Sequence, residues 1–373
     1  MNMPMKNIPQ VLFLLHLPPP VHGSSMVGSF IKKSIHINET FKCSFINLLA
    51  SENVSDTGKL ITKKIIGFII TLIKILKHLI KFKTDACYLA LSTTGVAFLK
   101  DTIIIFILKK FKVKRIYHLH NKGVNLQKNN LLYCVCYKFV FKDADVILLS
   151  KHLYDDIKTF VPMSKIYICP NGIPDNTKYE INRNLVDTNK DFNILFLSNL
   201  IESKGVYVLM DACKLLMDKG LKFNCYLVGG EGDITQELIL KKINFLGLNN
   251  IVVYVGKKYG DDKTDYFKKA SVFVFPTYYR NETFGLVNLE AMQYSLPIIS
   301  TFEGGIPDVV EDNITGFLVP QRNIDKLAEK LEFFINNIDK AKEMGRLGRK
   351  KYEDFFTLEK FESRLTSIIN SII

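Results

Sequence analysis

At 373 residues the chain is longer than a single hydrophobic core ordinarily supports, so two domains are expected. A hydrophobic fraction of 47% with no low-complexity tract excludes a disordered or fibrous polypeptide. The formal charge of +13 belongs to the first half: residues 1–180 hold 25 Lys and Arg against 11 Asp and Glu, and the remainder holds 25 against 26. Such a basic surface favours a polyanionic partner, whether nucleic acid, an anionic membrane or a phosphorylated substrate. The cysteines (Cys43, Cys87, Cys134, Cys136, Cys169, Cys213, Cys225) are scattered and odd in number, and Cys134-Val-Cys136 has no second cluster to complete a zinc site. They read as reduced thiols of a cytoplasmic protein.

In chain order, "VLFLLHL" (11–17) is a first strand. It is too short for a signal peptide, is interrupted by His16, and meets Pro18-Pro19-Pro20 with no small-residue cleavage site. "PPPVHGSSMVGSF" (18–30) then supplies His22, Gly23 and Gly28 before a helix, without a strict G-x-G-x-x-G. A second strand, "SFINLL", precedes "KLITKKIIGFIITLIKILKHLIKFK" (59–83), which contains no acid. On a helical wheel Lys59, Lys63, Lys74, Lys77 and Lys81 fall within about 60° of one another, opposite Ile, Leu and Phe. This predicts a helix with its apolar face on a sheet and a lysine edge that is either solvated or laid against anionic headgroups. No stretch approaches the length of a membrane-spanning helix.

"ACYLALS", "RIYHLH", "DVILLS" and "KIYICP" follow as strands. Alternation places His118 and His120 on one face, and His120 ends its strand. Asp143 and Asp145 form an Asp-x-Asp ahead of an apolar strand, where a cap or an exposed turn explains them better than a metal. The polar stretch 171–191 has no periodicity and reads as a linker. Beyond it lie "FNILFLS", "KFNCYLVG", "IVVYVG", "SVFVFP", "PIIST" and "GFLV". Continuous apolar strands separated by amphipathic helices indicate parallel sheets covered on both faces, with ligands at the strands' carboxyl ends. The domains are expected at 1–175 and 191–350, with a linker at 176–190 and a terminal helix at 351–373 that crosses back to the first domain.

"RNETFGLVNLEAM" (280–292) leaves a strand, places Glu282 in a loop, turns at Gly285 and enters a helix carrying Glu290. A helix N-terminus has unpaired amides and a positive dipole end, which suits a diphosphate. Glu290 lies about 6 Å along the axis from the helix start, so the two carboxylates flank that position and suit a diol at either end of a diphosphate.

These residues, with "FLSNLIESKGVYVLMDA" (196–212), "VGGEGD" (228–233) and "LPIISTFEGGIPDVVEDNITGFLV" (296–319), resemble the family-4 retaining glycosyltransferases of the GT-B fold, over nearly the whole chain. The resemblance implies an α/β chain of two Rossmann-like, doubly wound domains facing across a cleft. It implies that Glu282 holds donor-sugar hydroxyls, Glu290 the ribose, and the amides of Phe284, Gly285 and Leu286 the phosphates. Lys204 would contact the diphosphate, His120 would lie near the donor sugar, and Gly23 would approach the donor's leaving phosphate. The family usually has an arginine where this chain has Asn199, so Lys204 would carry an unusually large share of leaving-group stabilisation.

The activity expected is metal-independent, cofactor-free, retaining transfer of a sugar from a nucleotide diphosphate-sugar to a lipid-linked glycan acceptor in cell-surface polysaccharide or lipopolysaccharide synthesis. The basic N-terminal half would hold the protein peripherally on the inner face of the cell membrane. Nucleic acid is not expected as a partner, since no stacking motif or binding module appears. The alternatives are a nucleotide-sugar epimerase on the same fold, or a catalytically weak membrane-bound scaffold.

Overall fold

The computed structural model describes residues 8–19, 22–48, 60–177 and 191–373, with the side chains of 60–63 outside the description. The chain divides into two compact units, Met1–Asn171 with Leu358–Ile373, and Gly172–Thr357.

The first unit is built on six parallel strands: β1 (Gln10–Leu15), β2 (Lys42–Asn47), β3 (Ala86–Leu91), β4 (Lys114–Leu119), β5 (Asp145–Leu148) and β6 (Ile166–Ile168), in the order β2-β1-β3-β4-β5-β6. Every residue of β3 is buried, as a strand with helices on both faces requires. The order reverses between β1 and β3, so the loops that leave these strands part at a switch point. Helix Gly23–Lys33 follows β1 and presses on the chain just before it: a Cβ at Gly28 would stand 2.1 Å from the His16 carbonyl oxygen. Gly28 is buried in that contact, and Gly23, the glycine expected to approach the donor's leaving phosphate, is exposed at the helix start.

Helix Leu60–Lys81 differs from the sheet-covering helix expected. Only Thr71, Ile75 and Leu79 of its described side chains are fully buried, and six isoleucines face outward. The apolar surface is wider than the sheet can cover. Lys59 lies outside the described residues, as does the side chain of Lys63. Among the described residues no helix is long and apolar enough to cross a membrane.

The second unit repeats the plan with β7 (Asn193–Leu197), β8 (Asn224–Val228), β9 (Val252–Gly256), β10 (Val272–Val274), β11 (Ile298–Thr301) and β12 (Gly316–Val319), all parallel, ordered β12-β11-β10-β7-β8-β9. Its switch point lies between β7 and β10. The two six-stranded sheets with flanking helices realise the doubly wound pair expected from the alternation of apolar strands and helices.

Of the expected linker 176–190, residues 178–190 lie outside the described residues. Asp175 and Thr177 are held within the second unit. Arg349 reaches Asp175 Oδ2 at 2.7 Å and donates to Thr177 Oγ1 at 2.7 Å and to the Gln293 carbonyl at 3.1 Å. The position 350/351 falls inside helix Ile338–Phe355, and the chain changes units at Thr357/Leu358. Helix Leu358–Ile372 packs on helix Ile35–Thr40 of the first unit, buries Phe361, Leu365 and Ile369, and donates from Arg364 to the Pro170 carbonyl.

Candidate active site

In the second unit the chain leaves β7 through residues 198–205 and leaves β10 through 275–285, so both loops rise from the two strands that flank the switch point. They are stapled together by backbone. Tyr278 N–H donates to the Ser203 carbonyl at 2.8 Å, and Thr277 Oγ1 to the same oxygen at 3.3 Å. Gly205 has φ +89°, and a Cβ there would stand 2.2 Å from the Pro276 carbonyl oxygen, so only glycine lets the loops touch.

This stapling sets Lys204 against Glu282. Lys204 Nζ lies 2.5 Å from Glu282 Oε2, with both side chains mostly buried, and Lys204 also sits over the Tyr279 ring at 4.4 Å. The other carboxylate oxygen, Glu282 Oε1, accepts from the Gly285 amide at 3.1 Å. Gly285, at φ +69°, is the cap of helix Leu286–Gln293. Three residues singled out in the sequence thus meet in one cluster. The Gly285 amide and the Lys204 ammonium, both expected to face phosphate, face the Glu282 carboxylate. That carboxylate occupies the kind of position an anionic ligand would take at a helix N-terminus.

Further along the helix, Glu290 Oε1 pairs with Lys263 Nζ at 2.8 Å. Nothing in the pattern of "GDDKTDYFKK" singled out Lys263, because the pairing joins separate helices. Glu290 Oε2 and both amide atoms of Asn288 are buried without hydrogen-bond partners. Asn288 packs against the cap, its Nδ2 lying 2.8 Å from where a Gly285 Cβ would stand. Leaving such groups unpaired costs about 1–3 kcal/mol each, so this helix offers polar atoms that a ligand would satisfy. The Phe284 side chain is buried against Phe356 with ring centroids 5.9 Å apart, which leaves only its backbone to meet a ligand. Leu286 opens the helix. Asn199 is exposed beside Gly230 at the end of β7, and Lys257 packs on the same glycine.

In the first unit His120 follows β4, and its ring lies 4.2 Å from that of His118. His118 is fully buried, and its Nδ1 is 2.6 Å from Tyr88 Oη. Burial, with His16 and His22 nearby, pushes the His120 pKa down to about 3. Burial and His22 likewise bring His16 down to about 4. At neutral pH these imidazoles are uncharged, so His120 offers hydrogen bonds and no cation. His22 caps helix Gly23–Lys33, accepting from Ser25 N–H, so Gly23 lies in the first turn beside this group. Of the Asp-x-Asp pair, Asp145 opens β5, is buried, and pairs with Lys165 at 3.1 Å.

With this geometry in hand, comparison with known proteins gives a consistent picture. Residues 178–351 match the family model described as "Glycosyl transferases group 1". The capsular polysaccharide biosynthesis glycosyltransferase CapM of Staphylococcus aureus is 28% identical over 327 residues, covering 83% of this chain and 84% of its own. The putative colanic acid biosynthesis glycosyltransferase WcaL of Escherichia coli is 25% identical over 70% of this chain and 64% of its own. Among solved structures, Anabaena Alr3699/HepE in complex with UDP superposes with a TM-score of 0.74 at 17% identity, covering 97% of this chain and all of its own. Sucrose-phosphate synthase from Thermosynechococcus elongatus gives the same TM-score over 97% of this chain and 99% of its own. The structural likeness shows the GT-B fold, and the family match and relatives support glycosyltransferase activity.

Proposed function

We propose that the protein is a retaining glycosyltransferase that moves a sugar from a nucleoside diphosphate donor to a hydroxyl of a glycan acceptor, carried on a lipid, in the synthesis of a cell-surface polysaccharide. The observation that carries this reading is the contact of Lys204, Glu282 and the Gly285 cap at the β7/β10 switch point. The capsular and colanic acid names of the relatives support the acceptor class, and the UDP-glucose complex of HepE supports the donor class.

In this reading the diphosphate displaces the Glu282 carboxylate from Lys204 and from the helix terminus. The ammonium and the helix dipole then stabilise the negative charge that grows on the leaving phosphate, without a divalent ion or other cofactor. The freed Glu282 accepts hydroxyls of the donor sugar. Glu290 Oε2, buried and unpartnered, accepts a ribose hydroxyl while Lys263 fixes the opposite oxygen. In the first unit His120 offers a neutral hydrogen-bonding group and Gly23 an open backbone at the first turn of its helix. Asn199 brings no charge, so Lys204 is the chief cation for the leaving group.

The test is a thermal-shift panel of UDP-, GDP- and ADP-sugars, followed by assignment of the product's anomeric configuration by NMR. Stabilisation by one nucleotide class and retention at the anomeric carbon are expected. Inversion, or stabilisation by none, would overturn the reading, and donor-sugar release without an acceptor would favour the epimerase.

A further inference from the structure

The outward face of helix Leu60–Lys81 poses a problem that the proposed reaction does not address. Ile65, Ile66, Ile69, Ile70, Ile73 and Ile80 are each between 44% and 75% exposed. At 100° per residue they fall in one arc of about 140°. On the wheel Lys77 falls between Ile66 and Ile70 at one end of the arc, with Lys81 and Lys74 just beyond it; all three stand exposed, and no Asp or Glu occurs from residue 59 to 83. The apolar surface continues onto helix Gly95–Lys110, which packs alongside: Ile103 and Phe106 are exposed there, and Lys100 sits over the Phe68 ring at 5.4 Å. Lys110 lies over Phe106 at 5.4 Å, repeating the pattern of a lysine beside an exposed apolar group.

The charges select among possible occupants. A second copy placed symmetrically on this face would bring lysine rim against lysine rim, with no acid on the helix to compensate. A water-facing helix has no use for a stripe of isoleucines. A lipid surface satisfies both features, since the isoleucines enter the acyl boundary and the lysines extend along their stems to anionic headgroups. We infer that helix Leu60–Lys81 lies flat on an anionic membrane, its isoleucine arc in the lipid and Lys74, Lys77 and Lys81 on the headgroups. The inference stands apart from the glycosyl-transfer reading, because it uses no residue of the donor cluster.

The chain has no tryptophan, so one introduced residue reports alone. The full chain carrying Ile73→Trp is mixed with vesicles of phosphatidylcholine containing about 30% phosphatidylglycerol, at low and high salt, with Phe245→Trp, an exposed site of the second unit, as the control. A blue-shifted emission is expected for Ile73→Trp with the anionic vesicles and not with pure phosphatidylcholine, and no shift for Phe245→Trp. Combining Lys74→Gln, Lys77→Gln and Lys81→Gln should weaken vesicle partitioning by about a hundredfold at low salt. An unmoved emission, an equal shift in the control, or a shift without vesicles that grows with protein concentration would overturn the inference. The last of these outcomes would assign the face to a second copy.

Discussion

The donor cluster of the second unit and the lysine-rimmed helix of the first handle charge in opposite ways. Around helix Leu286–Gln293 the basic groups find acids within the same unit: Lys204 with Glu282, Lys263 with Glu290, Arg349 with Asp175. Along helix Leu60–Lys81 the sequence supplies no acid, and the lysines border exposed isoleucines. Internal partners fix side chains in place, so a ligand enters by exchange and the site is shaped before it arrives. A charged edge without internal partners attracts whatever carries the opposite sign over a broad area. The first arrangement suits selection of one small anion, the second adhesion to a surface.

The largest contrast should appear in stability. Arg349 and Asp175 are nearly buried, with side-chain exposures of 13% and 5%. Breaking such a pair leaves an uncompensated charge, so Arg349→Ala should lower unfolding free energy by about 3–5 kcal/mol in denaturant titration. Lys74→Ala, on the open rim, should change it by less than about 0.5 kcal/mol. Similar losses in both would mean that the two regions do not differ in the way described.

Next in size is catalysis. Lys204→Ala should lower kcat/KM by about a hundredfold, the usual scale for loss of one preorganised charge-stabilising group. Retention of more than a tenth of the wild-type value would transfer the role to Arg280 or Lys257.

Two buried aspartates sharpen the comparison through pH. Burial opposes the Asp175 carboxylate, but Arg349 and the Thr177 amide and hydroxyl outweigh it and hold its pKa below the ordinary value. Its contribution is present above the unfolded pKa and is lost as pH falls through the folded one. Asp101 of the first unit forms no ion pair among the described residues, though the Lys100 charge acts on it from nearby. Burial pushes its pKa up to about 7 despite the Ser92 amide at 2.9 Å. The folded chain therefore holds a proton that the unfolded chain releases, and stability falls as pH rises from about 4 to about 7, by at most about 1.4 kcal/mol per pH unit. Asp101→Asn should remove that component from the pH profile of unfolding. An unchanged profile would show that Asp101 is ionised in the fold.

The smallest effect runs against intuition. If Glu282 occupies the place of a phosphate, Glu282→Gln should slow transfer yet bind UDP, which has no sugar to be gripped, about two- to tenfold more tightly by calorimetry. Weaker UDP binding in that variant would show that the carboxylate supports the nucleotide and does not compete with it.

Much of the fold was legible because parallel strands buried on both faces leave continuous apolar runs, and all twelve such runs became strands. The neighbourhood of Lys204 and Glu282 followed from those strands, since loops at a switch point must meet. Their pairing with each other did not, because whether a cation faces its ligand or a neighbouring carboxylate depends on contacts that residue spacing does not encode. Lys263 and the buried Asn288 escaped notice for the same reason. The packing of Gly28 on the His16 carbonyl was not legible, because residue spacing does not show which part of the chain a helix presses on. On helix Leu60–Lys81 the apolar periodicity was plain, but how much of that face the sheet covers is a matter of area.

The central claim is that the Glu282 carboxylate holds the place of the donor's diphosphate. The most direct test is a crystal structure with a non-transferable UDP-sugar, or whichever nucleotide class stabilises the protein. The account predicts phosphate oxygens within hydrogen-bond distance of Lys204 Nζ and the Gly285 amide, with Glu282 turned onto the sugar. A bound donor that leaves the Lys204–Glu282 pair intact and the helix terminus untouched would contradict it.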